Sequence, residues 1–287
     1  MRIIINFITH VYFRILLGAF SACIVLSAQA EKTYIWSVVP QFTGIAVHRD
    51  WSPLLHAIEK DTGYRFELKL YKSIKSFEVG FARGEPDFAY MNPYHTVMAR
   101  KQQGYEPIVR DGKRQLTGIL VTRKDSNIKK VVDLQGMKIS FPSPNAFAAS
   151  LYSRALLSNK FGIQYTPVYA NTHSNAYRFA LLNKTSASGG VYRTLEKERP
   201  EVHDQLRVLF ETPSTSSHPL TAHKRVPEKV VKAVQKSMLS LAETMQGRAI
   251  LKAILMPEPV VANYDRDYKA LQDLQLENFI IEANSEH

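Results

Sequence analysis

From residue 33 onward the apolar positions follow two periods in turn. Residues 33–39 form a β-branched and aromatic run that ends at Pro40, which predicts a strand. Trp51, Leu54, Leu55 and Ile58 recur at helical spacing, so a helix is predicted over 45–61 with Gly63 as its stop. Residues 65–71 alternate strictly, as a half-buried strand does. The same reading predicts a short helix over 74–82, a strand over 87–91, and a helix that Asn92 and Pro93 open and that runs to about Gln103. Strands follow at 108–109, 116–122, 138–141, 167–170, 188–192 and 206–211. Between them lie helices from about 145 to 160 and over 175–182, and beyond Pro213 the pattern is helical over 227–255 with a break near Gly247. This rhythm predicts an α/β protein with mainly parallel sheets covered by helices.

The first thirty residues have a different character. Arg2 and Arg14 precede an apolar run, residues 15–26, which ends in Ala28-Gln29-Ala30. A charged start, an apolar stretch of about a dozen residues and an A-x-A site predict a secretory signal peptide over 1–30, cleaved after Ala30. The run is shorter than the roughly 20 residues that span a bilayer. An uncleaved anchor is the alternative. The predicted destination is an oxidising compartment outside the cytoplasm.

Composition narrows the function classes. The chain has 287 residues, 45% hydrophobic and 22% charged, a globular balance large enough for two lobes. Its one cysteine, Cys23, lies in the predicted signal, which excludes a disulfide framework and a cysteine-based metal site. The formal charge is +11, or +9 once Arg2 and Arg14 are removed, which favours anionic partners. No basic run with interleaved aromatics points to nucleic acid. The sequence has no G-x-S-x-G elbow, no phosphate-binding G-x-x-x-x-G-K-[ST] loop and no H-E-x-x-H pair. The expectation is a non-enzyme with no cofactor and no metal. Arg178 and Arg193 fall on predicted helices and read as solvated charges, as do Glu196 and Glu198 among their basic neighbours.

Five segments, in order, resemble the phosphate/phosphite/phosphonate-binding family of ABC transporter periplasmic subunits, which have the type II periplasmic binding protein fold. They are residues 38–41 with the helix around Trp51, Ser52, Pro53 and Leu54; 84–93, containing Asp87, Tyr90 and Asn92; 134–141; 172–175; and 188–193. The resemblance covers nearly all of 33–255. It implies the periplasm as the destination, and two lobes with a ligand cleft between them: 31–121 with 213–287, including the C-terminal helices, as the first, and 122–212 as the second. The segment 211–218 is then a crossing.

The resemblance also implies ligand-facing positions. Tyr90 matches a ligand tyrosine, with Asn92 and Tyr94 beside it; its other reading is a core tyrosine. His173 matches the family's ligand histidine, with Ser174 next to it, or else it caps and packs. In the second lobe, phosphonate binders carry a Ser-Thr-Ser-like run where this chain has Pro144, Asn145 and Ala146. Ser143 and Asn145 remain there as possible donors, or as plain helix caps. Gly189 and Gly190 stand where phosphonate binders have an acid; they allow close approach of a ligand or mark a bulge. Gln41 follows the first strand toward the cleft, with Phe42 as a possible aromatic wall. Residues 215–218, including His218, either reach the ligand or form only the hinge. The expected ligand is a small oxyanion or carboxylate, and the expected protein a monomer that feeds an ABC permease. The same module presenting its bound state to a membrane sensor kinase, or a small exported enzyme on this fold, are the alternatives.

Overall fold

The computed structural model describes residues 32–281; the expected signal peptide and its cleavage site lie outside them. The chain enters through β1 (Thr33–Val38), α1 (Gly44–Thr62), β2 (Arg65–Lys69), α2 (Ile74–Ala82), β3 (Phe88–Tyr90), α3 (Pro93–Gln103) and β4 (Glu106–Asp111). It then builds β5 (Gly118–Arg123), β6 (Lys138–Phe141), α4 (Tyr152–Asn159), β7 (Thr166–Tyr169), α5 (His173–Leu181), β8 (Ala187–Val191), α6 (Tyr192–Glu196), α7 (Pro200–His203) and β9 (Leu206–Glu211). It returns through β10 (Pro219–Ala222), α8 (Glu228–Ser240), α9 (Met245–Ala253), β11 (Pro259–Val261) and α10 (Tyr264–Asp267).

Local chemistry sets these boundaries. Thr43 caps α1 by accepting from the Ala46 N–H, and Gly63, at φ 75°, ends it. Ser73 and Ser76 form a reciprocal cap on α2. The Asn92 side chain caps α3, whose first residue is Pro93. The break after α8 lies at residues 241–244, where Thr244 caps α9, and not at Gly247. Gly247 sits inside α9, where a Cβ would come 2.0 Å from the Leu241 carbonyl oxygen.

Two sheets result, ordered β11-β4-β10-β3-β1-β2 and β7-β6-β8-β5-β9. Both are mixed rather than mainly parallel. β3 runs parallel to β1, and β6 parallel to β7 and β8, but β10 is antiparallel to β3 and β4, and β5 is antiparallel to β8 and β9. β11 is antiparallel to β4 as well, and β5 and β10 are the strands that directly follow the two crossings, where the chain comes back without a helical crossover. The first crossing is over residues 112–117, so Gly118 to Val121, expected with the first lobe, belong to the second sheet. The second is over 212–218. Leu116 and Thr215 exchange backbone hydrogen bonds of 2.8 and 2.9 Å, which ties the crossings to each other.

Asp87 anchors the centre of the first sheet: it accepts from the Ile35 N–H and pairs with Arg225 at 2.7 Å. The first core surrounds Trp36, Phe77, Phe81 and Phe88 and continues into Phe147 and Leu151. The second sheet has apolar clusters around Leu120, Ile139 and Phe141, and around Ile119, Val121 and Tyr177. Among the described residues no helix is long and apolar enough to cross a membrane.

Candidate functional site

The predicted helix from 145 to 160 begins differently. Residues 147–151 form a π turn, with the Ser150 and Leu151 N–H groups both directed at the Ala146 carbonyl, and only then does α4 start. This wide turn pushes Phe147 into the first lobe, where its ring stacks on Tyr94 at 6.0 Å. It also explains the glycines in the strands. A Cβ on Gly189 would lie 2.1 Å from the Ala149 carbonyl oxygen, and one on Gly118 2.1 Å from that of Ala148. A Cβ on Gly190 would strike the Tyr177 hydroxyl at 2.1 Å. The close approach expected of a ligand at Gly189 and Gly190 is made by the protein's own turn and tyrosine. Gly189→Ala is therefore expected to cost about 2–4 kcal/mol, because the obstructing atom is backbone and cannot rotate away. A melting temperature lower by roughly 5–15 °C, with or without ligand, checks this; an unchanged one contradicts it.

At the junction of the lobes the structure brings together Gln41, Tyr90, Asn92 and His173. It adds two residues the sequence reading placed elsewhere or left open, Arg193 and His218. Arg193, at the start of α6, is not a solvated helix charge. Its guanidinium donates to the Tyr90 hydroxyl at 3.0 Å and to Gln41 Oε1 at 2.9 Å, and its buried Nε–H has no partner. It makes no ion pair among the described residues. Tyr90 packs against Trp51 at 4.8 Å and stacks on His218 at 5.6 Å. Thr215 forms the hinge pair, but His218 lines the cleft, and neither of its ring nitrogens has a partner.

Arg193 is the cation that acts on Tyr90, His173 and His218, and the buried carboxylate of Asp111 acts on Tyr90 with the opposite sign. Burial pushes the Tyr90 hydroxyl upward, partly offset by Arg193, so the phenol keeps its proton. Burial first, and then Arg193, push His173 down to about 3. His218 is held well below its ordinary value by burial first, then by Arg193 and the neighbouring histidines. At neutral pH each ring is uncharged with one N–H to give. The His173 Nδ1 is 3.2 Å from the Thr194 hydroxyl. Asn92 spends its side-chain oxygen on the cap, accepting from the His95 N–H at 2.7 Å, and directs its amide nitrogen across the cleft to the Asn145 carbonyl at 3.4 Å.

The other candidates go elsewhere. Ser143 and Asn145 line a separate cavity of about 130 Å³ beside Glu78. Asn145 is held there: its amide nitrogen donates to Glu78 Oε2 at 3.0 Å and to the Ile281 carbonyl at 2.9 Å, and its oxygen accepts from the Ile281 N–H at 3.1 Å. Glu78 also pairs with buried His95 at 2.8 Å. Tyr94 donates to Glu277 at 3.2 Å, and Ser174 bonds Glu198; neither reaches the cleft group. Phe42 lines the cleft wall near Tyr90, with the Lys197 ammonium 5.0 Å from its ring centre. Among the described residues no cluster of His, Cys, Asp and Glu is placed to hold a metal.

A two-lobed α/β scaffold with polar groups gathered where the lobes meet defines a solute-binding protein. The family described as "ABC transporter, phosphonate, periplasmic substrate-binding protein" matches residues 36–268, and this chain belongs to it. Solved structures agree on the fold. A binding-protein component of an ABC phosphonate transporter from Pseudomonas aeruginosa superposes with a TM-score of 0.76 at 14% identity, over 87% of this chain and 86% of that one. PhnD1 from Prochlorococcus marinus, in complex with methylphosphonate, gives 0.76 at 16% identity, over 87% and 100%. An ATP-bound protein from Xanthomonas citri gives 0.71 at 13%, over 87% and 99%. No curated protein matches the chain in sequence.

Proposed function

We propose that the solute is a small organic anion whose acid group is received by Arg193, and that the chain delivers it to an ABC permease from the periplasm as a monomer, after cleavage at Ala30. The observation that carries this is a guanidinium at the lobe junction with no carboxylate partner among the described residues, its Nε–H unbonded and its two terminal nitrogens each donating to a neutral oxygen. A desolvated cation costs free energy unless it is paired, and a carboxylate or phosphonate forks onto guanidinium geometry. The anion displaces Tyr90 and Gln41 as acceptors; the freed Tyr90 O–H and the single N–H of His173 and of His218 then donate to it. One formal charge among neutral donors suits a monoanionic group better than a dianion. The lobes close about residues 112–117 and 212–218, so binding and closure are one step.

The test is a thermal-shift series with methylphosphonate, acetate, sulfate and the neutral acetamide. An anion at about 100 times its dissociation constant adds about 2.7 kcal/mol, seen as a rise of several degrees. Methylphosphonate or acetate is expected to give that rise and acetamide none. Equal shifts from acetate and acetamide would remove the charge argument.

A further inference from the structure

The space around Arg193 is lopsided. On the inner side, between Gln41, Asn92, His173 and His218, the cavity is about 20 Å³, room for about one water molecule. On the outer side, Arg193 itself lines a chamber of about 660 Å³ bounded by the first crossing, α6 and the turn after α9. That is within the range of pockets that enclose whole organic ligands. Its walls include Leu116, Val191, Leu255 and Pro257, and its rim includes Arg114 and Lys252. Arg114 is committed to Glu196, whereas Lys252 has no ionic or hydrogen-bond partner among the described residues. Leu255 holds a left-handed backbone conformation, φ 64°. That conformation ends α9 as a Schellman cap, in which the Met256 N–H bonds the Leu251 carbonyl at 2.9 Å and the Leu255 N–H bonds that of Lys252 at 3.2 Å, so the helix end sets Leu255 in the chamber wall.

We infer that the solute is a long-bodied anion, its acid group on Arg193 and an apolar body lying outward along Leu116, Val191 and Leu255 in this chamber. This rests on the reading of Arg193 as the anion receptor. A ligand the size of methylphosphonate would leave the chamber unused. A butyl or hexyl chain would cover its apolar walls, and the inner cavity offers no space for such a chain.

Calorimetric titration of the exported protein, purified from cells expressing the full chain, with methyl-, butyl- and hexylphosphonate tests this. Each added methylene is expected to tighten binding about two- to fourfold. Leu255→Asn keeps a residue tolerant of the left-handed conformation; it is expected to flatten the length dependence while leaving methylphosphonate within about twofold. Pro257→Ser serves the same purpose should Leu255→Asn not fold. Arg193→Gln is expected to lose the whole series. A series that is flat with chain length but lost in Arg193→Gln overturns the chamber and leaves the receptor standing. A series that binds unchanged in Arg193→Gln, or no binding by any member, overturns both.

Discussion

Arg193→Gln is expected to weaken binding of the cognate anion by on the order of 100-fold or more while moving the melting temperature of the ligand-free protein by only a few degrees. Removing one partner of a buried, hydrogen-bonded charge pair costs about 2–5 kcal/mol, because the remaining charge is left desolvated. In the ligand-free protein the same substitution costs little: two hydrogen bonds to neutral oxygens are replaced by amide contacts, and a partly buried unpaired cation is relieved. Arg193→Lys should recover only part of the affinity, since an ammonium cannot fork onto an acid group. Calorimetry on the three proteins decides this. Equal affinities would mean that the guanidinium is a structural tie between lobes and nothing more.

The second large effect is on stability against pH. His173 titrates near 3 in the folded protein and near 6.5 when unfolded, and His218 is shifted in the same direction. Between those values the unfolded chain binds protons that the folded one refuses, so stability is full above about 6.5 and falls as the pH drops toward 3. For His173 the loss from pH 7 to pH 5 is about 2 kcal/mol, and His218 adds to it in the same direction. The carboxylates held low, such as Asp267 at about 2, lose their contribution only at more acid pH, which leaves this window to the histidines. Urea midpoints at pH 7 and 5 measure it. His173→Gln and His218→Gln should each remove a large part of the difference, with His223, also held low by burial, contributing to the remainder, and a wild-type midpoint that does not move would contradict the buried neutral rings.

Much of this fold is legible in the sequence because its boundaries are set locally. Asn92 and Pro93 announce the start of α3, Gly63 the end of α1, and strict alternation marks β2. Tyr90, Gln41 and His173 are legible as residues of the lobe junction because each stands at a strand end or helix start, where α/β clefts form. Arg193 is not. In sequence it sits in a mixed-charge run that looks like a solvated helix face. Only the meeting of β8 with the end of β3 brings it to Tyr90, 103 positions earlier. Glu78 was hidden in the same way, as one of three polar residues, with Lys75 and Ser76, on a short helix, and its partners, His95 and Asn145, come from two other segments. The glycines misled for a related reason. Their missing side chains mark a close approach, but sequence does not say by what, and a π turn has no periodicity to betray it.

The most direct test follows the Arg193 Nε–H itself, by proton–nitrogen NMR of the exported protein, with the resonance assigned by its loss in Arg193→Lys. The proton is buried and unbonded without ligand. On titration with the anion identified by thermal shift, it is expected to move strongly downfield, in step with calorimetric occupancy, as a charge-assisted hydrogen bond forms. A resonance that stays in place while calorimetry records saturation would show that the anion binds elsewhere, and would contradict the assignment of Arg193 as its receptor.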